Sequence, residues 1–267
     1  MSQTLIGFTR TDPPDPAAIA DALAAVGVQW SGHDADPYRQ GVWSDPRTRA
    51  RCVLDLGEPA VERDTMHPPT RYEGWTAVGL ELHIPLAGPH WHAVECYRVA
   101  EAAATAGITL LDGEDVHAEP DAPPGPFPFT RARALLSWEA LREAQADGLR
   151  LPRLGRPASI VLWRWRREAP AGAAGLAVVE DARRPGTALL AAVITDPATP
   201  ALVPPVDLVL LMDPTGPRAV PGEHLEHLRG EPGPAGAQRY SDLTALRPAG
   251  DPAAGRFRLL GDEDWRD

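Results

Sequence analysis

The stretch LHIPLAGPHWHAVECYRVAEA, residues 82–102, passes from alternating apolar residues through a Gly-Pro turn into a segment with helical period. It carries His83, His90, His92, Glu95 and Cys96. It reads either as a metal centre or as a strand, a turn and a helix. Zinc takes imidazole nitrogen and carboxylate oxygen only from ligands that converge. On a helical wheel of about 100° per residue, Cys96, Val99, Ala100 and Ala103 form one face and His92 falls with them. Glu95, Arg98, Glu101 and Thr105 form the opposite, solvent-facing side. His90 opens the helix and points elsewhere, and His83 belongs to the strand's polar face. The stretch is therefore read as scaffold, with no metal ligand, no catalytic residue and no cofactor assigned. The main rival reading is a metal-dependent hydrolase using His83, His90, His92 and Glu95. The H-x-H spacing lacks the specificity of C-x-x-C or H-E-x-x-H.

Working outward, residues 78–86 alternate. Val78, Leu80, Leu82, Ile84 and Leu86 point one way, Glu81 and His83 the other. Upstream, ARCVLDLG sets Ala50, Cys52, Leu54 and Leu56 on one face, with Arg51, Val53 and Asp55 opposite. TLIGFT at 4–9 is a strand. Asp15 caps a helix that starts at Pro16 and turns Ile19, Leu23 and Val26 inward, and Gly27 ends it. VQW and ITLLD are further strands, and Gly107 stops the second helix. The order matches a ferredoxin-like α+β lobe of βαβ-β-βαβ type, assigned to residues 1–125, with helices on one sheet face. The proline-rich run 113–129 reads as a linker. Residues 126–267 form a second mixed α/β lobe, with a helix capped by Thr130 and strands at ASIVLWRWR, GLAVVED, ALLAAVIT and VDLVLLM. Residues 220–228 form a short helix. A boundary just after Gly148 is the alternative.

Composition removes several function classes. The chain has 267 residues and contains neither lysine nor asparagine. Without lysine there is no Walker lysine and no Schiff-base lysine. The arginine, alanine, proline and glycine bias points to a GC-rich, bacterial source. No apolar run approaches the length of a membrane span, and the N-terminus lacks the pattern of a signal peptide. Cys52 and Cys96 both fall in apolar patterns, as buried thiols of a reducing, cytoplasmic compartment do.

Charge is unevenly distributed. Residues 1–125 carry 19 acidic side chains and 8 arginines, a net of −11, whereas residues 126–267 carry 18 of each. An acidic surface opposes binding to nucleic acid or anionic lipid and steers basic proteins toward it. Arg150, Arg153, Arg156, Arg164, Arg166 and Arg167 interleave with Trp163 and Trp165, which suits stacking on single-stranded bases. The preferred reading instead pairs these arginines with carboxylates, which the acidic first half supplies, and a nucleic-acid adaptor built on the Arg/Trp strand is the second alternative to a binding protein. Smaller candidates are a His33, Asp34, Asp36 cluster, a His224–His227 pair and a His92–Cys96 dyad.

The reading of the whole is a non-catalytic, cytoplasmic protein that binds a protein partner, a basic one by its charge, without membrane, nucleic-acid or small-molecule ligand. Its biological class would be an immunity or antagonist protein of a bacterial conflict system. The partner-binding residues are Asp34, Asp36, Tyr38, Trp43, Tyr72 and Trp75. They lie in the polar stretches 31–48 and 58–76, where acidic groups meet the aromatic residues that dominate protein interfaces.

Overall fold

The computed structural model describes residues 1–32, 38–57, 71–72, 74–112, 129–213, 216–246 and 256–267. The chain is mixed α+β, and it divides into two compact units, Met1–Leu149 and Arg150–Asp267. The division falls after the helix that follows the proline-rich run, and residues 131–149 lie within the first unit.

In the first unit the elements run β1 (Ser2–Thr9), α1 (Pro16–Ala24), β2 (Gln29–Ser31), β3 (Tyr38–Ser44), β4 (Arg51–Gly57), β5 (Arg71–Tyr72), β6 (Trp75–Pro85), α2 (His90–Thr105), β7 (Thr109–Asp112), α3 (Arg131–Ala144) and α4 (Ala146–Leu149). The strands lie in the order β2-β3-β4-β6-β1-β7, with β5 paired to β6. Every one of these pairings is antiparallel. Alternation along β4 and β6 places Cys52, Leu54, Leu56, Leu80, Leu82 and Ile84 in the core with Ile19 and Leu23 of α1 and Cys96, Val99 and Ala100 of α2.

Local chemistry sets the element ends. Asp15 accepts the Ala17 N–H at 2.9 Å and Pro16 takes the first helical position. Gly88, at φ +91°, turns β6 into α2 in a conformation that costs glycine little. Gly7 faces the core where an added Cβ would stand 2.9 Å from Val78 Cγ2, so only glycine lets β1 seat there. A buried polar group ties four elements together. Gln3 Nε2 donates to Asp112 Oδ2 and to the Ala134 carbonyl, and the Tyr97 hydroxyl donates to Gln3 Oε1 at 2.9 Å. Burial and the nearby Asp112 carboxylate push the Tyr97 phenol well up.

Four expectations are corrected here. Val26 does not turn inward with Ile19 and Leu23; it lies past the end of α1 and is 41% exposed. Trp43 does not stand on the surface as a binding aromatic. Trp43 is 6% exposed and donates its indole N–H to Val26 O, and Trp30 donates to Ala20 O, so both brace α1 against the strands. Glu95 is not on the solvent face. It is 3% exposed, with Arg98 Nη1 at 3.3 Å and the Asp45 turn reached by the same guanidinium at 3.7 Å. The sequence 158–166 is not a strand.

That last segment is helical. In the second unit the elements are α5 (Arg156–Glu168), β8 (Gly175–Asp181), β9 (Ala188–Ile194), β10 (Ala201–Val203), β11 (Leu208–Asp213), β12 (Gly216–Pro221), β13 (Glu231–Pro232), β14 (Gln238–Tyr240) and β15 (Phe257–Leu260). One sheet runs β12-β11-β9-β8-β15 and a small one β10-β14-β13. Gly155 and Pro157 start α5, and Ser159, Leu162 and Trp165 recur at a spacing of three to bury one face. Alternation and helical period both fit the run IVLWRW, and the Gly-Arg-Pro start is the feature that separates them. Residues 222–227 form a 3₁₀ turn, and β9 pairs with β11 in parallel. Trp265 is also buried, and its neighbour Arg266 accepts the Leu154 N–H and donates to Pro152 O through the backbone.

The chain end is held to β8 by two ion pairs. Arg256 donates twice to Asp181, at 3.1 and 2.7 Å, and Arg258 donates twice to Glu180. The Arg256 hydrogen bonds bring the Asp181 carboxyl down to about 2. A carboxyl lowered on folding stabilises the native state above its ordinary range and ceases to do so as pH falls through the folded value. Arg256→Gln is therefore expected to cost about 1–2 kcal/mol at neutral pH, discounted for the half-exposed guanidinium. The difference from wild type should shrink below pH 4 and vanish near 2. Urea unfolding across that range checks it, and a pH-independent loss would show that Arg256 acts only by packing.

Candidate functional site

The face of the first sheet opposite α1 and α2 carries a connected set of polar side chains. Register produces it. Asp55 of β4 stands directly across from Glu81 of β6, and Gln40 of β3 directly across from Asp55. One pair along, Thr4 of β1 faces His83 of β6. Since Leu54 and Leu82 are paired and buried, their sequence neighbours must emerge together on the other side. Tyr38 is paired with Gly57 and is 57% exposed.

Asp55 is the hub. Gln40 Nε2 donates to Oδ1 at 3.2 Å, His83 Nε2 lies 3.1 Å from Oδ2, and the Tyr38 hydroxyl donates to the same carboxylate. Partial burial works to raise the Asp55 carboxyl, but the Tyr38 and Gln40 hydrogen bonds and His83 outweigh it and hold it below the ordinary range. The complementary effect falls on Tyr38. Its bond to Asp55, some desolvation and the charges of Asp55 and Glu81 push the phenol up to about 12. His83 also lies 3.6 Å from Glu81 Oε2, and its Nδ1 is 3.2 Å from Thr4 Oγ1. Glu81, at 40% side-chain exposure, is the most open of the His83 partners.

This arrangement concentrates negative charge at a solvated surface. Like charges directly opposite on neighbouring strands destabilise a sheet. The site keeps two such carboxylates, one of them fixed ionised by its hydrogen bonds. His83, flanked by both, holds Asp55 in place from the strand between β4 and β1.

The expected binding residues are dispersed. Asp34 and Asp36, with His33, lie outside the described residues. Tyr38 stands on the open face, Trp43 is in the core, and Trp75 is half-buried with the Arg10 guanidinium 4.4 Å from its ring centre. Tyr72 pairs through its backbone with Trp75, and its side chain lies outside the described residues. Thr4, Gln40, Asp55 and Glu81 were not singled out from sequence. Alternation assigns Asp55, Glu81 and His83 to outer faces, but only the pairing of β4 with β6 brings them together.

The rival ligand set does not converge. His83 projects from the outer face, whereas His90, His92 and Glu95 are buried on α2 beneath the inner one. Among the described residues no group of three or more His, Cys, Asp or Glu side chains is arranged to hold a metal ion. His92 sits edge-on to Trp91 at 4.4 Å. Cys52 and Cys96 are both buried and free, and burial pushes the Cys96 thiol well up. His224 and His227 lie on the 3₁₀ turn, with ring centres 6.4 Å apart.

Two arginines of α5 have partners within the second unit. Arg166 Nη1 lies 3.0 Å from both oxygens of Asp262, and Arg167 stacks on Trp163 at 5.4 Å. For Arg166 this carboxylate lies in the second half of the chain. Arg153, Arg156 and Thr187 line an open depression that also holds the Asp267 carboxylate, which accepts from Ser159 Oγ at 2.7 Å. No helix among the described residues is long and apolar enough to cross a membrane. Comparison with family models, curated proteins and solved structures returns no match to the chain.

The Tyr38–Asp55 bond can be tested by itself. With tyrosine ring carbons labelled for NMR, the Tyr38 phenol is expected to ionise near pH 12 in the wild type. In Asp55→Asn it should fall toward the ordinary value of about 10. An unchanged titration would show that Asp55 does not hold the hydroxyl.

Proposed function

We propose that the chain is a non-catalytic protein that binds a basic protein partner on the outer face of its first sheet. The observation that carries the reading is the Asp55–Glu81 pair, two carboxylates set directly opposite on a solvated face. A cationic partner would relieve their repulsion, so a local cost in the free protein becomes part of the binding energy. The net −11 of residues 1–125 extends the attraction beyond contact range and speeds encounter. Exposed Tyr38 supplies an aromatic surface beside the charges.

The strand order β4-β6-β1-β7 with α1 and α2 on one face supports reading the first unit as a ferredoxin-like sandwich, extended past β4 by the β2–β3 hairpin. In that reading the sheet's second face is the working surface. The biological class that suits an acidic protein masking a basic one is a cytoplasmic immunity or antagonist protein.

The test is quantitative capture of cytosolic proteins by wild type and by Asp55→Asn/Glu81→Gln. A basic protein retained by wild type should fall by about ten-fold or more on the double variant, as loss of two close charge pairs implies. Added salt should release it as well. Equal retention by both proteins would remove the open face from the account.

A further inference from the structure

The five-stranded sheet of the second unit is apolar on both faces. ALLAAVI of β9 and LVLLM of β11 run apolar without alternation, the pattern of strands buried on two sides. One side is covered within the unit: Ala192, Val209 and Val220 pack with Leu225, Tyr240 and Leu243 from beyond the sheet. The other side is built by register in rows, Leu259–Val179–Leu189 across β15, β8 and β9, and Val193–Leu210–Ala219 across β9, β11 and β12. Among the described residues, the apolar cluster on this side draws on the five strands alone. Leu259 is 70% exposed, and Met212, further along β11 on the same side, is 40% exposed. We infer that this open face is a dimer interface, covered by the same face of a second copy of the chain.

Charge and area choose the occupant. Neither row holds a charged side chain. Asp181 emerges on this side at the end of β8, and Arg256 neutralises it by donating twice. Residues 126–267 carry 18 acidic side chains and 18 arginines, so two copies meet here without the repulsion that the −11 of residues 1–125 would impose. A partner selected by charge finds nothing to pair with in these rows. An identical face offers the same apolar rows over the same width, as a twofold contact requires. Five strands about 4.8 Å apart and about 20 Å long make a face of about 500 Å². That exceeds the roughly 400 Å² of contiguous apolar surface that suits a soluble monomer. Two such faces bury about 1,000 Å², the lower bound of a specific interface. The paired sheets would form a sandwich about 10 Å thick with strands aligned to within about 30°.

The test is sedimentation velocity of the full chain at loadings from about 1 to about 100 μM, the range in which a small interface associates. Wild type should pass from the mass of one chain toward twice that mass, and about 0.5 M NaCl should leave the transition in place, since it rests on apolar burial and not on exposed charges. Leu259→Glu and Met212→Glu set a charge at positions already open to water in the single chain. Each should weaken association by about ten-fold or more, because the dimer would bury that charge unpaired. Leu136→Glu, at a 58% exposed leucine of α3, should associate as wild type does. Asp55→Asn/Glu81→Gln should do so too, which separates this contact from the acidic face of the first unit. Circular dichroism of each variant confirms the fold before sedimentation. A wild type that stays a single chain at about 100 μM overturns the inference and leaves the face to a different protein. A dimer that survives both Leu259→Glu and Met212→Glu, or that dissolves in salt or equally in Leu136→Glu, overturns it by placing the contact elsewhere.

Discussion

The antiparallel register of β4 and β6 is the constraint on which the rest depends. Leu54 pairs with Leu82 and Leu56 with Leu80, all buried beneath α2. A slip of one residue would turn this whole apolar set out to solvent, so the pairing is held by the core. The same register places Asp55 opposite Glu81 on the far side, whether or not their charges favour it. Hydrophobic burial of several leucines outweighs the modest repulsion of two solvated carboxylates. The acidic pair is thus a surface feature imposed by the interior, and Tyr38, Gln40 and His83 have only to hold one of its members in place.

Much of this architecture was legible in the residues. The alternation of ARCVLDLG and VGLELHIPL gave both strands and the correct inner face, and Asp15-Pro16 gave the start of α1. The helical wheel of residues 90–105 placed Cys96, Val99, Ala100 and Ala103 inward, as found. Failures came where a distant segment decides the outcome. Glu95 belongs to the outer side of an isolated α2, but Arg98 and the Asp45 turn cover it. Trp43 lies in a polar stretch, yet Val26 at the end of α1 accepts its N–H and draws it inside. In α5 the bulky apolar run fits two periods, and the Gly-Arg-Pro start decided between them.

The site was half-visible for a related reason. Periodicity tells which face a residue takes but not which residue faces it across the ladder. Asp55, Glu81 and His83 could be placed on outer surfaces, while their convergence required knowing that β4 neighbours β6 and that β1 neighbours it on the other side. The histidines drew attention as a cluster in sequence, and the sheet then separates His83 from His90 and His92. The acidic surplus of the first half carried no information on where its carboxylates come together on the surface.

The claim most exposed to measurement is that Asp55 and Glu81 repel each other in the free protein and are held together by the core. A double-mutant cycle on folding stability, with Asp55→Asn, Glu81→Gln and the double variant at neutral pH, isolates that pairwise energy from the hydrogen bonds Asp55 also makes. Glu81→Gln should stabilise the wild type by about 0.5 kcal/mol, the scale of a cross-strand pair. The gain should disappear in the Asp55→Asn background. A loss of stability on Glu81→Gln, or the same gain in both backgrounds, would show that the two carboxylates are not an opposed pair and would remove the basis for a cation site on this face.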